Sequence, residues 1–164
     1  MRPLVNPSHQ ASNQAESSWK AILECAAMEV FEMMAGVHLE PNPEPGEEPS
    51  GEQTAMVGMA GALCGMITLR CSQEMSKRFA SLMLGEAAAA NPTTARDALG
   101  ELCNMVAGNF KGKINALKDQ CMLSVPTVIS GEDYSMDTAD PNEGITIAFT
   151  CDGNLVWVCL IVQP

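Results

Sequence analysis

The sequence predicts an α+β domain in which a mostly antiparallel sheet packs with long helices. Apolar residues recur at helical spacing across roughly 94–117. Short apolar stretches broken by turn residues, such as Asp152-Gly153-Asn154, read as hairpins. These elements follow one another as α-β-β-α-α-β-β-β, and helices interleaved with hairpins suit α+β architecture. With 164 residues, the chain is long enough for one domain with its own core.

Residues 1–16 are polar, carry Pro3 and Pro7 and show no period, which predicts a disordered tail. The single domain then covers 17–164. Ser17 or Ser18 is placed to cap a first helix, Ser18–Val37, whose apolar face comprises Ile22, Ala26, Val30, Met33 and Met34. Gly36 ends or loosens it. The stretch 40–52, with five glutamates among prolines and glycines, reads as a mobile loop. Gln53–Cys71 reads as two strands turning near Gly61-Ala62, with Gly58 and Gly65 marking close packing or bulges. Ser72 caps a helix to Gly85, with Glu74 in its first turn, and 86–91 is an alanine-rich link.

Pro92 precedes the longest helix, Thr94–Leu117, for which Thr93 or Thr94 is the expected cap. Beyond Asp119 the chain turns extended. Cys121–Ser130 is a strand in which Pro126 marks an edge, a bulge or a bend. A polar connection covers 131–144. Ile145–Cys151 and Leu155–Val162 form the last hairpin, with Phe149 and Trp157 as core anchors.

In the long helix, Leu99, Leu102, Cys103, Val106, Phe110, Ile114 and Leu117 form one apolar stripe. At 100° per residue, Asp97, Glu101 and Asn104 fall within about 60° of one another on the other side. Gly100, Gly108 and Gly112 interrupt the helix, each at about 1 kcal/mol relative to Ala. A polar trio beside missing side chains suits a docking surface for another backbone. It equally suits the solvated face that every amphipathic helix has, and periodicity does not separate the two.

The run Asp97-x-x-x-Glu101-x-x-Asn104, continued as Met105-x-Ala107-Gly108-Asn109, resembles the signature of the CheC/CheX family of bacterial chemotaxis phosphatases. Downstream, Val125-Pro126-Thr127-Val128 supplies the proline that the signature also carries. The resemblance runs from Trp19 onward and is closest to the single-site CheX branch. It implies hydrolysis of the aspartyl phosphate on a CheY-like receiver domain. The receiver would bring the acyl phosphate, Mg²⁺ and a Lys, so this chain would need no cofactor of its own.

Asn104 would position the attacking water, as a Gln does in GTPases, without setting a negative charge beside the phosphoryl oxygens. Glu101 would contact the receiver Lys, with Asp97 in support, Gly108 giving clearance and Pro126 shaping the surface. The resemblance also implies a homodimer through the sheet, with Leu155–Val162 as an apolar edge to cover. A receiver-binding adaptor without activity, or a structural protein akin to flagellar switch components, stands as the alternative on the same fold.

An internal echo pairs Glu29-Val-Phe-Glu32-Met33-Met34-Ala35-Gly36 with Glu101–Gly108. Duplication and chance similarity both account for it. If it is a duplication, Glu32 stands where Asn is required, and only the second copy keeps a site.

The net charge of −11 argues against nucleic acid or an anionic membrane surface as partner. No apolar run approaches a membrane span, and no secretory signal is visible. The seven cysteines lack metal-ligand spacing, and Cys25, Cys64, Cys103 and Cys159 read as reduced core thiols of a cytoplasmic protein.

Overall fold

The computed structural model describes residues 7–46, 52–131 and 144–163. The helices are α1 (Pro7–Ala35), α2 (Gln73–Leu84), α3 (Glu86–Ala89), α4 (Pro92–Gly112) and α5 (Asn115–Lys118). The strands are β1 (Glu40–Pro41), β2 (Glu52–Gly61), β3 (Gly65–Ser72), β4 (Cys121–Leu123), β5 (Thr127–Gly131), β6 (Gly144–Cys151) and β7 (Asn154–Val162). The α+β architecture is as expected, with three short pieces added and one expected strand divided. Among the described residues, no helix is long and apolar enough to cross a membrane.

All strand pairs are antiparallel, and the sheet order is β1-β6-β7-β3-β2-β4, with β5 also paired to β2. Alternate residues of each long strand enter the core, as the two-residue period requires. Val57, Ile67, Leu69, Ile147, Phe149 and Val158 meet Leu23, Phe31, Phe79, Leu99 and Phe110 of the helices in one buried cluster. β6 and β7 join through Asp152-Gly153, both at positive φ (47° and 79°), a two-residue turn whose twist matches the strands.

Several boundaries differ from expectation. The α1 helix begins at Pro7 rather than Ser18, so residues 7–16, expected as tail, belong to it; residues 1–6 lie outside the described residues. Proline is tolerated in a first turn, and polar residues extend a helix once it is nucleated. At the other end Gly36 takes φ 65°. Its N–H bonds the Glu32 carbonyl at 3.0 Å and that of Val37 reaches Phe31 at 3.4 Å, which closes the helix two residues before Val37.

The cap of α4 is Asn91, accepting from the Thr93 N–H at 2.9 Å, and Pro92 occupies the first turn. This helix ends at Gly112, and Leu117 reaches the core from the separate α5. Ser72 caps α2 as expected, accepting from Met75 N–H at 3.2 Å. Glu40 and Pro41 of the expected loop pair with Thr150 and Phe149. Residues 47–51 of that loop, and 132–143 of the polar connection, lie outside the described residues.

Two further expectations are corrected. The β7 strand is not an edge: it lies between β6 and β3, as suits the longest apolar run of the sheet. Cys25 and Cys64 are exposed rather than core, and Cys159 is half-buried; all seven thiols are free. Cys103 is buried between the Ala55 and Ile67 carbonyls, each 3.6 Å from its sulfur, and burial pushes its thiol up to about 12.

Helices α1 and α4 are also tied by a polar clamp. Glu29 pairs with Lys113 Nζ at 2.8 Å, accepts from Asn109 Nδ2 at 2.9 Å and accepts from the Cys25 thiol at 3.3 Å. The Lys113 hydrogen bond first, then those of Asn109 and Cys25, lower the Glu29 carboxyl to about 2 from 4.5. Folded-state depression means that the contribution of Glu29 to stability is complete above the ordinary value of 4.5 and is lost as pH falls through about 2. A carbon-detected titration is expected to place Glu29 near 2 and to return it toward 4.5 in Lys113→Ala. An ordinary value in the unaltered protein would show the clamp to be open in solution.

Candidate functional site

The outer flank of α4 faces the sheet edge formed by β4 and β5. Its opposite side anchors it: Leu99, Leu102, Val106 and Phe110 have no exposed surface. Lys111 on the last turn donates to the Cys121 carbonyl at the start of β4. The face that carries Asp97, Glu101 and Asn104 is therefore set by a buried stripe that cannot rotate without leaving the core.

Asp97 and Glu101 are exposed, and Asn104 is half-buried. Among the described residues, their side chains have no hydrogen-bond or ion-pair partner. Helical spacing brings the three together on one flank. The glycines divide by role. A Cβ on Gly100 would lie 3.3 Å from Val128 Cγ2 and 3.4 Å from Pro126 Cβ, so this glycine lets the sheet edge close against the helix. A Cβ on Gly108 would come no nearer than 4.0 Å to Leu123, and one on Gly112 would meet nothing within 4 Å. Those two glycines leave open surface rather than serving packing.

Pro126 stands exposed beside Gly100, in a break between β4 and β5. Met59 pairs with Leu123 and Met56 with Thr127, so two residues of β2 oppose three of the partner strand: Ser124, Val125 and Pro126. Of the three readings open for Pro126, this is the bulge. Gly58, also expected at a bulge, sits across from it. Ser124 and Val125 were not singled out by sequence reasoning. The signal was the proline itself, which cannot donate to a ladder and forces the strand to yield.

The echoed segment of α1 ends differently. Glu29, at the offset of Glu101, is bound up in the clamp with Lys113 and Asn109, and Glu32 stands exposed at the offset of Asn104.

Among the described residues, two hollows lie away from this flank. One of about 390 Å³ is bounded by Lys20, Glu24, Pro43, Ala148 and Trp157. Another of about 450 Å³ is bounded by His38, Glu40, Arg78 and Asp152, with Arg78 and Asp152 paired across it. Neither borders Glu101 or Asn104. The flank of α4 is an open, polar face, suited to a macromolecular surface rather than to an enclosed small molecule.

A family model described as "Chemotaxis phosphatase CheX" matches residues 53–150, which take in β2, all of α4 and the bulge. The chain belongs to the CheX family. A comparison with curated proteins found no match. Among solved structures, a chemotaxis protein CheX from Desulfovibrio desulfuricans is 21% identical, with 89% of this chain and 99% of that one covered at a TM-score of 0.76. CheX from Vibrio vulnificus is 19% identical over 90% and 98% of the two chains, at 0.75. The CheX–CheY–BeF3–Mg²⁺ complex from Borrelia burgdorferi matches at 23% identity over 88% and 97%, at 0.72. At these identities the structures establish the CheX fold for this chain, and the family model establishes the family.

Proposed function

We propose that this CheX-family chain is a phosphatase for the aspartyl phosphate of a CheY-like receiver domain, and that it docks the receiver on the outer flank of α4. The observation that carries the reading is the Glu101/Asn104 pair, one turn apart on an anchored helix, with no partner among the described residues and open to a partner. The family is described as chemotaxis phosphatases, and one solved relative is a complex with CheY.

In this reading the receiver supplies the reactive acyl phosphate, its Mg²⁺ and a Lys. Asn104 holds a water in line with the scissile P–O bond, and Glu101 pairs with the Lys and sets the docking register. Asp97 restrains or supports Glu101, Gly108 leaves clearance for the receiver, and Pro126 shapes the adjoining wall. The protein acts in the cytoplasm. It works as a homodimer, whose contact must use a surface other than the interior strand β7. An adaptor would use Glu101 and have no need of Asn104, so an Asn at this position favours the enzyme.

The test is the decay of phosphorylated receivers with Mg²⁺, with and without the protein. Accelerated decay is expected for at least one. Glu101→Ala is expected to weaken receiver binding about tenfold or more, as loss of one charged partner does at an interface. No acceleration for any receiver of the same cell would remove the enzyme reading.

A further inference from the structure

The row Gly100–Asn104–Gly108 advances one helical turn per step along the flank of α4 that faces β4 and β5. Both ends of the row are located. Gly100 lies against Pro126 and Val128, and Gly108 is nearest Leu123. Helix and strand segment therefore run in opposite directions, and Asn104, midway along the row, stands opposite Ser124 and Val125.

That stretch is a bulge held shut. The Ser124 N–H donates to the Gly58 carbonyl at 2.9 Å. The Ser124 hydroxyl accepts from the Gly58 N–H at 2.9 Å and donates to the Val125 carbonyl at 2.9 Å. It replaces the ladder acceptor that the bulge removes. Gly58 leaves room for this latch, since a Cβ there would lie 3.4 Å from Ser124 Oγ.

The latch holds an apolar side chain out in water. Val125 is 83% exposed and Met122, three residues earlier, 78%; no other large hydrophobic among the described residues is as exposed. An edge strand is ordinarily blunted by charge at such places. Here a fixed bulge presents valine beside a polar helix face. Exposed apolar side chains bordered by polar groups mark a protein-docking surface.

We propose that the Ser124–Val125–Pro126 bulge is the second wall of the Asn104 site. Val125 packs on an apolar patch of the receiver beside its phosphorylated aspartate, and Ser124 is the positioning residue that keeps Val125 there. This rests on the phosphatase reading above. The two contacts divide the work: Glu101 and Val125 determine how tightly the receiver is held, and Asn104 determines how fast the bound phosphate is lost.

The test measures the Kd for a beryllofluoride-activated receiver with Mg²⁺, and the KM and kcat for its dephosphorylation. Val125→Ser is expected to raise Kd and KM about tenfold, the scale of one buried aliphatic side chain, with kcat unchanged. Ser124→Ala should move KM in the same direction as Val125→Ser, again without loss of kcat. Because Val125 is exposed, Val125→Ser should keep the wild-type unfolding midpoint, so it decides the matter even if Ser124→Ala folds poorly. Unchanged Kd and KM in Val125→Ser, or a loss confined to kcat, overturns this proposal and leaves the phosphatase reading standing. A wild-type protein that neither binds nor dephosphorylates a receiver overturns both.

Discussion

Asn104→Ala is expected to slow receiver dephosphorylation about a hundredfold while leaving receiver affinity close to wild type. A hundredfold corresponds to about 3 kcal/mol of transition-state stabilisation. That is a reasonable share for one residue whose task is to fix a water, because the receiver supplies the metal and the reactive bond. The amide has one acceptor and two donors, so it can orient the water's lone pair toward phosphorus and remain neutral. Asn104→Asp keeps the size and adds a negative charge beside the phosphoryl oxygens, so it should fail as well. Neither substitution should alter folding, since the side chain is half-buried and without a partner among the described residues. Single-turnover decay with saturating protein separates this from a binding defect. Wild-type decay rates in Asn104→Ala would remove the residue from the mechanism.

The second large effect is on stability. Phe110→Ala should cost about 3–5 kcal/mol, the range for emptying a buried aromatic site. Phe110 has no exposed surface and meets the Trp19 ring edge-to-face, at 6.4 Å between centroids and 88° between planes. This ring contact joins α4 to α1, and Gly108 and Gly112 nearby offer nothing to fill the gap. For a chain of this size the midpoint of thermal unfolding should fall by roughly 10 °C. Activity below the transition should persist, because Asn104 points away from the vacated space. Chemical denaturation reads the cost directly, and a loss below about 1 kcal/mol would mean that the α1–α4 contact is not the anchor described here.

Legibility followed the range of the interactions. The α4 stripe from Leu99 to Phe110 and the Asp152-Gly153 turn are local patterns, and both were readable. The end of α4 was not, because Ile114 and Leu117 keep the helical phase across the break at Gly112. β1 and α3 are two and four residues long, too short to show a period. Cys25 and Cys64 lie in apolar runs yet face water, since a run does not say which side of an element is covered. At the site, Asp97, Glu101 and Asn104 were found on one flank by spacing and resemblance. The Ser124 latch was not found, because its partner Gly58 is 66 residues away in the chain. Only the pairing of β2 with β4 and β5 brings the two together.

The interior position of β7 bears on how the protein is made. On the ribosome, β3 emerges roughly 80 residues before the strand that will lie against it, a delay of about 4–16 s at usual elongation rates. Throughout that interval the backbone edge of β3 that will pair with β7 stays open, and β6 emerges only shortly before β7. The half-built sheet is thus a target for chaperones or for stray pairing with another nascent copy. The β6–β7 hairpin then closes it, with the nine residues of β7 pairing β3 on one side and β6 on the other.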